Sequence, residues 1–213
     1  MGNLSSHAIL SLLGLAVLVS PIAAQKRRRI EFTPFVGGLI PTTRLGAIRV
    51  PNPCGGSTPT QVTGEMLTGS GFGGRATVYG TGRLGVEGTY FMARHKMRVA
   101  GGGPCYRTFD ANVQGGSVKA VFEATTAGTG TDLVLTAGVS GIKHGGTAFQ
   151  FASNQFDIGG VVGGGLHLVL SPMVTLRFDG DLYVYRWRAG AAFASQTQSD
   201  VMITAGLGLS LGH

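Results

Sequence analysis

Residues 174–187, Val-Thr-Leu-Arg-Phe-Asp-Gly-Asp-Leu-Tyr-Val-Tyr-Arg-Trp, alternate between two kinds of solvent. Val174, Leu176, Phe178, Leu182 and Val184 fall at one parity, with Gly180 among them. Thr175, Arg177, Asp179, Asp181, Tyr183 and Tyr185 fall at the other. Successive side chains of a β-strand point to opposite faces, so a strand here is apolar on one face and ionisable on the other. A soluble sheet can carry one such strand. A whole series of them, joined by connections of alternating length, is the pattern of a closed barrel whose apolar face meets lipid.

The series is present. Eight candidate strands lie at roughly 30–40, 69–80, 83–93, 115–126, 131–142, 156–170, 173–186 and 199–211. Leu84, Val86, Tyr90 and Met92 oppose Glu87 and Thr89; Val118, Ala120 and Phe122 oppose Lys119 and Glu123; Leu133, Leu135, Ala137 and Val139 oppose Thr136 and Ser140. The last strand aligns Val201, Ile203, Ala205, Leu207, Leu209 and Leu211. The first is less regular, because Phe35 and Leu39 share the inner parity. Thr81-Gly82, Ala127–Gly130 and Ser171-Pro172 read as tight turns. Longer links fall around 41–68, 94–114, 143–155 and 187–198, which places His95 and His144 in loops.

The N-terminus fits an exported chain. Ile9–Val19 is a short apolar run followed by Pro21-Ile-Ala-Ala24, a small-residue cleavage site, so residues 1–24 read as a signal peptide. Residues 25–29 form a basic tail, and 30–213 the barrel. The n-region carries no Lys or Arg, and no Cys follows the cleavage site. No later stretch offers the run of about 20 apolar residues that a helical span needs. The net charge of +7 fits contact with lipid phosphates in an exported chain; no nucleic-acid-binding module is recognisable.

Register follows from energetics. A one-residue slip would move Arg177 onto lipid at a cost of about 2–4 kcal/mol near the midplane. Eight strands leave an interior filled by side chains. Arg75, Glu87, Lys119, Glu123, Arg177, Asp179 and Asp181 share that interior, and buried charges of mixed sign require pairing.

Gly163–Tyr185, a glycine-punctuated strand, a Ser-Pro turn and a Leu-Arg-Phe-Asp strand, resembles the outer-membrane β-barrel domain family, relatives of the small OmpA/OmpX-type barrels. Phe32-Thr-Pro-Phe-Val-Gly-Gly-Leu-Ile-Pro41 is similar to that family's first strand. The resemblance implies an all-β, eight-stranded, antiparallel up-and-down transmembrane barrel in a bacterial outer membrane, inserted by recognition of its C-terminal strand. His213 stands where members usually carry an aromatic residue. A monomer of structural or surface-interaction type, without cofactor or metal, is expected.

Two alternatives remain open at this stage. One is a barrel enzyme that modifies lipid A, which needs a rim histidine with a Ser or Asp/Glu partner. The other is a secreted lipocalin-like binding barrel, whose Val/Leu faces would point inward. Cys54 and Cys105, in the first two long links, suit a disulfide closing a loop of about 50 residues. Two unpaired thiols are the alternative, and a zinc site with His95 or His144 lacks ligand spacing. Arg94, Lys96, Arg98, Arg107, Arg186 and Arg188 cluster at the outer rim, where lipopolysaccharide headgroups or plain water would meet them. Tyr90, Phe91, Tyr183, Tyr185 and Trp187 gather at the same level, as an interfacial girdle or as caps of the lumen.

Overall fold

The computed structural model describes residues 29–43, 47–50, 52, 58, 60–80, 82–100, 106–125, 130–150, 156–187 and 196–211. Ten strands run β1 (Arg29–Pro41), β2 (Ala47–Val50), β3 (Thr60–Met66), β4 (Gly69–Tyr79), β5 (Leu84–Ala100), β6 (Tyr106–Glu123), β7 (Thr131–Gly145), β8 (Phe156–Ser171), β9 (Val174–Trp187) and β10 (Gln196–Leu211). Eight of them, β1 and β4 to β10, form a closed antiparallel ring in which β1 pairs with β10 and β5 with β6. Closure removes every sheet edge within the ring. β2 and β3 form a hairpin that adds to β5 above the ring, through Gly64 opposite Val99.

At the short-turn end, Gly82 and Gly130 adopt φ of 101° and 71°, a region that side chains with a Cβ avoid. The turn between β8 and β9 sits at Pro172-Met173, one residue later than Ser171-Pro172, because a bulge between Val169 and Ser171 lengthens β8. Arg29, assigned from sequence to the basic tail, is the first residue of β1.

The outer face of the ring is apolar. Phe32, Val36, Phe72, Val86, Val118, Leu135, Val139, Val162, Phe178, Ile203 and Leu207 are exposed, while Thr33, Glu87, Lys119, Ser140, Asp179 and Thr204, at the opposite parity, are buried in the lumen. The Val/Leu faces therefore point outward, opposite to what a soluble ligand-binding barrel requires.

Two of the sequence-derived strands stop short. The sequence pattern ends the third at 93, yet β5 runs to Ala100; it starts the fourth at 115, yet β6 starts at Tyr106. The reason is a change of solvent along the same strand. The outer face of β5 reads Leu84, Val86, Gly88, Tyr90, Met92 and then Arg94, Lys96, Arg98; the inner face reads Glu87, Thr89 and then Phe91, Ala93, His95, Met97, Val99. β6 mirrors it. Its outer Thr108, Asp110, Asn112 and Gln114 oppose inner Phe109, Ala111 and Val113, and below Gly115 the polarity reverses. Above the reversal the strands are ordinary soluble β-structure with a core of Met66, Met97, Val99, Phe109, Ala111 and Val113. Below it they are inside-out. The outer apolar run of β5 spans eight residue steps, about 27 Å along the strand, enough for a tilted strand to cross a membrane's apolar band.

This division fixes the cost of a misplaced charge. Ala137→Arg, midway along the outer face of β7, is expected to destabilise the barrel by about 2–4 kcal/mol. Thr108→Arg, on the outer face above the reversal, should change stability by less than about 0.5 kcal/mol. Urea unfolding in lipid vesicles measures both.

Candidate functional site

The interior of the ring is a layered side-chain network. In the layer nearer the short turns, Arg177 on β9 reaches Glu87 on β5, diametrically across the ring, at 2.8 Å, and Glu31 on β1 at 3.0 Å. Arg75 on β4 pairs with Asp179 and, at 3.0 Å, with Asp181, both on β9. Lys119 on β6 bridges Glu87 at 3.0 Å and Asp181 at 2.9 Å. His167 on β8 meets Asp179 at 3.0 Å. Glu87 is the hub: besides its cations it accepts hydrogen bonds from Thr77 at 2.9 Å and Thr89 at 3.3 Å. Glu87, Lys119 and Arg177 are 0%, 2% and 1% exposed. At the mouth, Arg29 lies 3.5 Å from Glu123 and 4.4 Å above the Tyr79 ring.

Strand register makes these contacts possible. Lys119 lies directly across from Glu87, and Thr77 flanks Glu87 on the other side. Gly163 and Gly165 lie opposite Asp181 and Asp179, where a Cβ would overlap the carboxylates. All seven residues expected from sequence to share the lumen are buried there; six of them pair directly with one another, and Glu123 connects to them through Arg29 and Glu31. Glu123 meets Arg29 at the mouth, and Arg29 lies 3.6 Å from Glu31. Glu31 and His167 also belong. Glu31 was missed because it sits beside the basic run that ended the sequence-assigned tail.

The layer above is largely apolar. Phe35, Leu39, Phe91, Ile142, Val161, Tyr183, Tyr185, Trp187 and Met202 fill it, and the short 3₁₀ turn Thr147–Phe149 folds Phe149 onto Trp187 and His144. Of the five aromatics noted at this level, Tyr90 faces outward, whereas Phe91, Tyr183, Tyr185 and Trp187 face the lumen. A polar thread runs through this layer. Tyr185 Oη donates to Asp200 at 2.8 Å, His144 Nε2 lies 3.2 Å from that hydroxyl, and His144 Nδ1 lies 3.6 Å from Asp157.

His95 and His144 are thus strand residues, in β5 and β7, rather than loop residues. The strands continue past the polarity reversal at which the sequence pattern breaks. His95, His144 and His167 all face the interior, whereas a lipid-modifying site needs a histidine on the outer rim. Among the described residues no group of three or more His, Cys, Asp or Glu is placed to hold a metal ion. Cys54 and Cys105 lie outside the described residues.

Charge is sorted between the two faces. Of the chain's ten Asp and Glu, eight are buried inside, and Glu65 and Asp110 face outward. Among the described residues the fully interior cations are Arg75, Lys119 and Arg177; Arg83, Arg94, Lys96, Arg98, Lys143 and Arg186 are exposed. Arg94, Lys96, Arg98 and Arg186 therefore stand on the outer face of the rim. Arg188 lies outside the described residues, as does the side chain of Arg107. Lys143, on β7, belongs to the same rim and was overlooked because it is a lone charge at the end of a strand.

The network yields a test of mutual dependence. Arg177→Met removes the partner shared by Glu31, Glu87 and Asp179 and is expected to cost about 3–5 kcal/mol, because it leaves buried charge uncompensated. Exposed Arg83→Met should cost less than about 0.5 kcal/mol. Urea titrations in vesicles compare them.

No protein-family model matches the chain, and no curated protein matches it. The fold is similar to solved bacterial barrels. With the outer membrane protein OprG of Pseudomonas aeruginosa it shares a TM-score of 0.64 at 11% identity, over 90% of this chain and 99% of that one. For the outer membrane protein AlkL in lipid bilayers the values are 0.52 and 10%, over 91% and 95%. For Neisserial surface protein A they are 0.50 and 12%, over 88% and 99%. At such identities the likeness speaks to fold, and the lipid-facing belt is the chain's own evidence for a bilayer. By architecture and outer surface, this chain is a small eight-stranded transmembrane β-barrel of the kind found in bacterial outer membranes.

Proposed function

We propose that the chain works as a signal-cleaved, monomeric outer-membrane barrel of structural or surface-interaction type, whose lumen is plugged by ion pairs. The observation that carries this reading is the pairing of β9 with β5, β4 and β6 across the ring, Arg177 to Glu87, Arg75 to Asp181 and Lys119 to Asp181. Bonds that span the diameter occupy the path a solute would take. The same pairs brace opposite walls, so the barrel suits a rigid base better than a channel.

What it supports stands above the rim. β5 and β6 carry eight or more residues past the polarity reversal, joined by the β2–β3 hairpin and the 3₁₀ turn. A platform with its own apolar core is suited to presenting a surface outside the cell. In this reading Cys54 and Cys105 would form a disulfide, the rim cations would meet lipopolysaccharide, and the insertion machinery would read the aliphatic series Leu207, Leu209 and Leu211 of β10.

Two measurements test it. Unheated protein extracted from outer membranes should run at a different gel mobility from boiled protein and resist a carbonate wash. Protein reconstituted in planar bilayers should give no steady conductance steps. Stable open-channel currents would contradict the plugged lumen, and loss in the wash would contradict the membrane assignment.

A further inference from the structure

The outer rim does not treat its cations alike. Lys96 lies directly across from Asp110 on β6, and Arg98 directly across from Glu65 on β3. Opposite charges in facing cross-strand positions partly offset one another without closing to an ion pair here, and these are the chain's two outward acids. Arg94 is flanked instead by Ser70 on β4 and Asn112 on β6. Lys143 is flanked by Gln114 on β6 and Phe156 on β8. Both are exposed, and both stand at the level where the outer face changes from apolar to polar.

Resting on the membrane-barrel reading above, we infer that Arg94 and Lys143 form a two-cation cradle for the phosphorylated sugar headgroup of an outer-leaflet glycolipid. Their backbone positions are two strands apart and offset by two residues, about 12 Å by strand geometry. Two long side chains at that separation can each hold one phosphate of a bisphosphorylated disaccharide. The polar amides of Asn112 and Gln114 lie between them. Beside Arg94, a surface recess of about 650 Å³ is lined by Thr68, Ser70, Asn112, Lys96 and Asp110, adding hydroxyl and amide groups, and a second cation with its facing carboxylate, to the guanidinium. Arginine suits this role because its planar fork binds phosphate oxygens in pairs.

The surface below favours a lipid over a free anion. Directly beneath the cradle, Phe72, Tyr90, Met92, Val118 and Val139 present apolar side chains outward. Acyl chains hanging from the headgroup would lie along them. Cation above and hydrocarbon below match an amphiphile whose phosphates and chains are joined in one molecule.

The test uses the folded full barrel in mixed vesicles, extracted into mild detergent, with bound lipid counted by native mass spectrometry. The probe is bisphosphorylated lipid A, with fully dephosphorylated lipid A and inorganic phosphate as comparisons. Wild type is expected to retain lipid A. R94Q/K143Q should retain at least tenfold less, and K96Q/R98Q should lose less than about threefold. Equal retention by R94Q/K143Q, or an equal loss in K96Q/R98Q, would overturn the cradle. So would retention of dephosphorylated lipid A as strong as that of the parent lipid. Displacement by inorganic phosphate at matched phosphate concentration would assign the site to a free anion and overturn the lipid. Each variant is checked for the heat-dependent gel shift, which reports folding separately. Failure of wild type to insert into vesicles would overturn the membrane reading itself.

Discussion

A β-strand has two faces, and in this protein each face changes solvent partway along the chain. In the bilayer the outer face meets hydrocarbon and the inner face is sealed in a narrow lumen. Above it, the outer face meets water and the inner face packs against its opposite wall. The reversal between Met92 and Arg94 on β5, and near Gly115 on β6, is the constraint from which the rest follows. It demands charge in the middle of the barrel, where polar groups must find partners, and lets the main apolar core begin just below the rim, at Phe35, Phe91 and Tyr183, and continue above it.

The charged layer meets that demand by spanning the ring rather than by pairing neighbours alone. Arg177 and Glu87 belong to opposite strands, and Arg75 and Lys119 both reach Asp181 from the far side. Threonine hydroxyls and the small glycine surface around Asp179 and Asp181 complete the geometry. Taking eight of ten carboxylates inside leaves an outer surface dominated by cations. The net positive charge of the chain is therefore mostly an external property. It is concentrated where anionic headgroups would be met.

Within the bilayer the sequence announces its structure well. Alternation over Val174–Trp187 and over Leu133–Val139 places each residue on its observed face, and even the irregular Phe35 and Leu39 lie inside as parity requires. Above the rim it does not. There, alternation persists with its sense reversed, so a search for apolar-out strands ends at residue 93 and resumes at 115 although the backbone continues. For that reason the sequence pattern puts His95 and His144 in loops. The β2–β3 hairpin carries too short a run to register. Ion-pair partners were also beyond reach, because which side chains meet across a lumen depends on stagger between distant strands.

The reversal itself is open to direct measurement. Single spin labels placed at outer positions 84, 86, 90, 92, 94, 96 and 98 of β5, in reconstituted bilayers, report accessibility to oxygen, which partitions into lipid, and to a water-soluble nickel complex. The account predicts oxygen-dominated access from 84 to 92 and nickel-dominated access from 94 to 98, with the crossover between 92 and 94. Nickel access at 86 or 90, or oxygen-dominated access continuing through 98, would contradict it.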